Sequence, residues 1–204
     1  MQLNFRPAEA PDAPLAVPLI YSAGPEGFEY VFRQGRRSAL DYLRYAFPDG
    51  RGFFGYRNHR VALLDGQVVG IGAFYSGLEY NALSEGALRQ ILRFYRLACP
   101  PVLRRALQTT RWMPPPGRRT LYVANLGVAE NMRGRGIGAA LLRSQIAAAQ
   151  ASGKRKLALD VAANNPRAQK LYEMLGLRVV QENRIDATRD DISVPVSRRM
   201  ELSL

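Results

Sequence analysis

The residues able to do chemistry gather in two short stretches. The first is Arg133-Gly134-Arg135-Gly136-Ile137-Gly138, which follows an apolar run, Leu121–Val128, and opens a helical pattern near Gly136. A strand, a glycine-rich turn and a helix start together make an anion site. Glycines let a ligand approach the backbone, and the first N–H groups of a helix have no acceptor of their own. The helix dipole adds a field that favours phosphate. The glycines fall at 134, 136 and 138, so neither the G-x-G-x-x-G fingerprint nor a P-loop is present. A run of backbone donors bearing Arg133 and Arg135 suits a pyrophosphate. A turn that merely lets strand and helix pack closely is the other reading.

The second stretch runs from Asn165-Pro166 through Ala168, Leu171 and Tyr172 to Leu175-Gly176. Asn165 and Pro166 cap and start a helix. Leu171, Met174 and Leu175 form its apolar stripe, with Ala168 and Tyr172 one turn apart on a flank. Tyr172 either packs in the core, the common fate of a helical tyrosine, or presents a phenol to a site beside the glycine loop.

Elsewhere the chain offers little chemistry. Cys99 is the single cysteine and His59 the single histidine, and nothing in the sequence links them. An internal disulfide and a cysteine-based metal site are thus excluded, and a catalytic thiol lacks a base. His59, in Tyr56-Arg57-Asn58-His59-Arg60, reads as a surface or strand-edge residue. The net charge of +12 over 204 residues favours an anionic ligand or surface. A solvated arginine-rich surface explains it equally well. The first residues lack a basic segment followed by an apolar one, and no run is long enough for a membrane span, so a cytosolic protein is expected.

Positioning these stretches requires an α/β chain. Leu3–Arg6 reads as a first strand ended by Pro7. Helices are expected over about 13–23, from Pro25 to Phe32, and from the Ser38-Ala39-Leu40-Asp41 capping box to about Phe47. Val61–Leu64 and Gln67–Tyr75 flank Asp65-Gly66 and predict a hairpin, with Gly70 and Gly72 marking a bulge or close approach. Leu88, Ile91, Leu92 and Tyr95 predict an amphipathic helix over about 80–98. Residues 100–119, rich in proline and arginine, read as a loop within a single domain spanning 1–204. It is either a linker or a loop over the site. After Leu121–Val128 come a helix over 136–152, a buried strand Leu157–Val161, the helix ending near Leu175, and strands at Leu177–Gln181 and Ser197–Leu202.

Together, the two stretches resemble the GNAT superfamily of acetyl-CoA-dependent N-acetyltransferases, whose motif R/Q-x-x-G-x-G/A matches residues 133–138, with Ala139 following. Asn165, Ala168, Leu171-Tyr172-Glu173 and Leu175-Gly176-Leu177 are similar to the downstream motif ending Y-E-x-x-G-F, with Leu177 in place of phenylalanine. The resemblance covers about residues 121–180. It implies a mixed, mostly antiparallel sheet of six to seven strands, splayed between the fourth and fifth and flanked by helices. It implies that Arg133 and the backbone of Gly134, Arg135, Gly136, Ile137, Gly138 and Ala139 hold the pyrophosphate of acetyl-CoA. The backbone of Leu126 and Val128 would pair with the pantetheine arm like an added strand. Asn165 would touch that arm, Ala168 would leave room for it, and Tyr172 would protonate the departing thiolate of coenzyme A. Metal is not expected. In the implied chemistry a neutral amine attacks the thioester directly, and a tetrahedral oxyanion forms.

One departure stands out. Some members carry a base on the fourth strand, but Leu121–Val128 holds no Asp or Glu. Its polar side chains, Tyr122 and Asn125, could orient a water but are poor bases. Glu79 and Glu85 are candidates by position, each otherwise a solvated helix residue. The expected function is transfer of acetyl to a primary amine, on a protein or a small molecule, by a monomer or homodimer. Two alternatives stay open. One is a regulatory acyl-CoA-binding protein without catalysis. The other is a nucleic-acid-binding module suggested by the clusters Arg89/Arg93/Arg96, Arg104-Arg105 and Arg118-Arg119.

Overall fold

A computed structural model describes residues 2–184 and 188–204. The strands are β1 (Leu3–Pro7), β2 (His59–Leu64), β3 (Gln67–Ser76), β4 (Thr120–Val128), β5 (Lys156–Ala162), β6 (Arg178–Asn183), β7 (Thr188–Arg189), β8 (Ile192–Ser193) and β9 (Ser197–Ser203). The helices are α1 (Ala13–Tyr21), α2 (Pro25–Phe32), α3 (Ala39–Asp49), α4 (Tyr80–Tyr95), α5 (Cys99–Trp112), α6 (Ile137–Ala151) and α7 (Pro166–Met174). Seven strands form one sheet in the order β1-β2-β3-β4-β5-β9-β6, and β7 and β8 make a separate two-stranded ribbon. All pairs in the large sheet are antiparallel except β4 with β5. This is the expected mixed sheet.

Several local signals act as the sequence implies. Ser38 accepts the Asp41 N–H while Asp41 answers the Ser38 N–H, so α3 starts at a capping box. Asp65-Gly66 joins β2 to β3, and the β3 side of that pair carries an extra residue beside Gly70. Pro18 lies inside α1 without ending it.

The segment 100–119 departs from expectation. Residues 99–112 are helical, and only 113–119 form a loop. Pro100 and Pro101 occupy the first turn of α5, where a missing N–H costs nothing, so they start a helix there. The short loop is tied down at two places, and the end of α5 just before it at a third. The Gly77 N–H reaches the Gly117 carbonyl, Arg199 reaches the Pro114 carbonyl, and the Asn183 amide reaches the Trp112 carbonyl.

Two layers of helix cover the sheet. On one face, α1 and α3 bury Val17, Ile20, Leu43 and Phe47 against Val61 and Ile71. On the other, Leu142 of α6 and Tyr172 of α7 pack on Val123, Leu157, Leu159 and Met200. Each such side chain removed from water contributes on the order of 1.5–3 kcal/mol. Among the described residues, no helix is long and apolar enough to cross a membrane.

Candidate active site

The fourth strand creates the opening. β4 and β5 pair only over Thr120–Val123 with Lys156–Leu159. β4 then continues to Val128 along β3, while β5 continues to Ala162 along β9. The two diverge, and among the described residues the edge of β4 from Ala124 to Val128 that faces β5 has no strand beside it.

A bulge governs what this edge presents. On β4, Ala124 opposes Ala73 and Gly127 opposes Ile71, so β4 carries one more residue than β3 between these pairs. Asn125 absorbs it with φ +54, a left-handed conformation that Asn tolerates better than most residues. Strand side chains alternate between faces, and the extra residue resets the alternation. Val123, Leu126 and Val128 thereby share the α6/α7 face, while Gly127 turns to α1. A β-carbon on Gly127 would lie 2.2 Å from the Leu19 carbonyl oxygen, so only glycine fits under that helix. The expected pair Leu126 and Val128 lies on the stretch of β4 beyond its last pairing with β5.

The glycine loop stands at the end of this edge. Gly134 and Gly136 have φ of +85 and +77, a region costly for residues with a β-carbon. Gly136 is the N-cap of α6, and no side chain caps that helix. The first turn-closing bond runs from the Ala140 N–H to the Gly136 carbonyl. The N–H groups of Ile137, Gly138 and Ala139 precede it and have no helical acceptor. Residues 133–136 are exposed, so the helix start is open to a ligand. The Arg133 Nε donates to the Val128 carbonyl at 3.2 Å and ties loop to strand. The Arg167 guanidinium lies 3.5 Å from where a Gly134 β-carbon would be, so α7 adds a cation over the loop. The helix-start position of Arg167, one residue after Pro166, was the available signal for it.

The second stretch meets the first here. A β-carbon on Gly138 would touch Val128 at 3.6 Å and Leu171 at 3.7 Å, which joins β4, α6 and α7 at one point. Asn165 caps α7, its side-chain oxygen accepting the Ala168 N–H at 3.1 Å. Ala168 packs beside Tyr172. The Tyr172 ring is buried, 8% exposed. Among the described residues its hydroxyl has no hydrogen-bond partner, yet it is not one of the fully enclosed orphan atoms. Burial pushes the phenol up to about 12, so it keeps its proton at neutral pH. The ring thus packs in the core, as one of the two readings has it.

The candidate bases part company. Glu79 closes a turn, accepting the Ser76 N–H at 2.6 Å and its hydroxyl at 2.5 Å. Glu85 is exposed and faces Arg89. Both line an open pocket beside α4. His59 is buried rather than at the surface, with Nδ1 2.8 Å from the Gly55 carbonyl, and burial lowers it to about 4. It is a neutral structural residue. Cys99 starts α5 as a free, half-buried thiol.

Two residues escape a linear reading. The Asp160 carboxylate, on β5, accepts the Tyr122 hydroxyl at 2.6 Å and two N–H groups of Arg199 at 2.8 Å each. Asp160 lies just past the last β4–β5 pair, at the mouth of the opening. A charge inside Leu157-Ala158-Leu159-Asp160-Val161 was the signal, since an unpaired buried carboxylate is too costly to keep. One basic cluster also dissolves. Arg105 is buried against the carbonyls of Val31 and Arg33, and burial lowers it to about 10.

The fold has relatives among solved structures. An N-acetyltransferase from Staphylococcus aureus Mu50 superposes with a TM-score of 0.72 at 19% identity, covering 98% of this chain and all of that one. A GCN5-related N-acetyltransferase from Kribbella flavida gives 0.59 at 22% identity, covering 99% and 98%. In sequence, the GCN5-related N-acetyltransferase 6, chloroplastic, of Arabidopsis thaliana is 36% identical over 70 residues, which are 34% of this chain and 24% of the plant protein. The match thus spans about a quarter of that relative's length. Residues 26–177 fit the family model described as the acetyltransferase (GNAT) family, and the chain belongs to that family.

Proposed function

We propose that the protein is an N-acetyltransferase that moves the acetyl group of acetyl-CoA directly to a primary amine. The observation that carries this reading is the convergence of three features in one cleft. They are the unpaired edge of β4, the uncapped start of α6 and the free phenol of Tyr172. When bound, acetyl-CoA supplies the acetyl group as an activated thioester. The N–H groups between Gly134 and Ala139 donate to its pyrophosphate, with Arg135 and Arg167 adding charge. The edge at Leu126 and Val128 aligns the pantetheine arm by strand addition. Asn165 holds the start of α7 in place, which sets Tyr172 beside the arm. Tyr172, neutral at working pH, holds the proton that sulfur needs on departure.

Calorimetric titration with acetyl-CoA tests the cofactor, and release of coenzyme A across a panel of primary amines tests the reaction. Absence of binding at high micromolar acetyl-CoA sinks the proposal. The regulatory alternative is favoured by the absence of a carboxylate on β4. It predicts acetyl-CoA binding with no turnover on any amine.

A further inference from the structure

The face of the sheet opposite Tyr172 carries a polar assembly that the chemistry above leaves unused. Tyr122 precedes the opening on β4 by two residues, and its ring packs with Tyr75, Ala158 and Ala124 under Phe53, Tyr80 and Leu83. Its hydroxyl donates to Asp160 at 2.6 Å. Arg199 grips both oxygens of the same carboxylate, and its guanidinium also lies 5.3 Å from the Tyr122 ring centre. Asp160 and Arg199 are 3% and 9% exposed at their side chains. Burying such a pair is expensive, and well-packed apolar residues would serve stability as well or better.

The hydrogen bonds define what the assembly can do. The carboxylate's oxygens are taken up by two guanidinium N–H groups and a phenol. Its effect is geometric. The single proton of Tyr122 is committed to Asp160, so the phenol oxygen has only lone pairs left to offer. It can accept from an N–H and cannot donate. An open pocket of about 600 Å³, lined by Tyr75, Glu79, Leu83, Glu85 and Gly86 among others, lies on this face of the sheet. The Tyr75 ring, in its wall, lies 5.3 Å from the Tyr122 ring. Tyr75 thus stands between the pocket and Tyr122, on the face away from Tyr172.

Building on the N-acetyltransferase reading, we propose that Tyr122 receives the acceptor amine. Its oxygen takes a hydrogen bond from the attacking N–H, and Asp160 and Arg199 act as positioning residues that fix the phenol proton inward. The two phenols then divide the work by face: Tyr172 serves the sulfur, Tyr122 aims the nitrogen. This supplies orientation where β4 has no carboxylate.

The test is Tyr122→Phe, which keeps the ring and removes the oxygen, with butylamine, benzylamine, agmatine and glycinamide as acceptors. Acetyl-CoA affinity by calorimetry should match the wild type. The kcat/KM for the best amine should fall at least about tenfold, as expected when a reactant loses its orienting contact. Binding of that amine to the complex with coenzyme A should weaken about fivefold, the size of one hydrogen bond. Asp160→Asn should cause a similar kcat/KM loss, and the double variant should lose no more than the worse single one, because both act through one contact. Where Asp160→Asn fails to fold for want of a partner to Arg199, Tyr122→Phe decides alone. A Tyr122→Phe enzyme with wild-type kcat/KM and amine affinity overturns the assignment and leaves the N-acetyltransferase reading standing. Wild-type protein that binds no acetyl-CoA at high micromolar concentration overturns both.

Discussion

Replacing Gly136 by alanine puts a number on the glycine loop. Gly136 sits at φ +77 as the N-cap of α6, and a β-carbon there would meet no atom within 4 Å. Steric contact therefore adds nothing, and the whole cost is conformational. A residue with a β-carbon in the left-handed region costs about 1–2 kcal/mol. Alanine also stiffens the unfolded chain, which returns roughly 0.4–1 kcal/mol. A net loss of about 1 kcal/mol remains, and it can fall in either of two places. If the loop keeps its shape, the loss appears as stability, about 2–4 °C in Tm for a chain of this size. If the loop relaxes, its N–H groups turn from the ligand, and acetyl-CoA affinity drops about fivefold. Differential scanning calorimetry and titration with acetyl-CoA measure the two shares. Gly138→Ala is the internal control. Its β-carbon would make ordinary contacts at 3.6 and 3.7 Å with Val128 and Leu171. It lies inside a helix, where alanine is favoured over glycine by about 1 kcal/mol. That variant should melt higher. Gly136→Ala with both Tm and affinity unchanged would refute the claim that the loop needs its left-handed turn.

Four further outcomes are expected. Tyr172→Phe should leave acetyl-CoA binding intact and lower kcat about 10²-fold, the low end for a positioned proton donor; full activity would remove Tyr172 from the chemistry. Because the Tyr172 phenol is raised to about 12 in the fold, the unfolded chain gives up its proton first as pH climbs above its ordinary 10. Its share of stability is complete below pH 10 and drains away toward 12, at roughly 1.4 kcal/mol per pH unit, and Tyr172→Phe should show a shallower alkaline decline in urea titrations. His59 works in the opposite direction: lowered to about 4 from 6.5, its share is present above pH 6.5 and lost as pH falls toward 4. A His59→Asn variant with the same acid slope as wild type would contradict that assignment. Asn125→Val should destabilise by about 1–2 kcal/mol through the left-handed backbone, whereas Asn125→Gly should not; equal melting temperatures for the two would show the bulge to be unstrained.

Much of the fold is legible in short-range signals, because capping, turn and periodicity rules act over a few residues. Ser38 with Asp41, Asp65-Gly66, and the apolar recurrence at Leu88, Ile91, Leu92 and Tyr95 each specify an element by local physics, although only Ile91 and Tyr95 of that last set are buried, Leu88 and Leu92 being exposed. Pro100-Pro101 misled for a related reason. Proline ends a helix and also begins one, and only packing decides which, so residues 99–112 turned out helical. Tyr172 was ambiguous in the same sense: spacing places it on a flank of α7, but spacing cannot say whether the ring is buried or the hydroxyl free.

The sequence by itself determined the pieces of the cleft. Glycines at 134 and 136 permit positive φ, Asn125 permits the bulge, and Asn165-Pro166 starts α7. Tertiary structure decided how they meet. The divergence of β4 from β5 after four pairs is a property of two strands, so no single stretch encodes it. The bond between Tyr122 and Asp160 joins residues 38 apart, and that between Asp160 and Arg199 joins residues 39 apart. A buried charge is tolerable only with its partners assembled around it, and those partners come together only when the sheet forms.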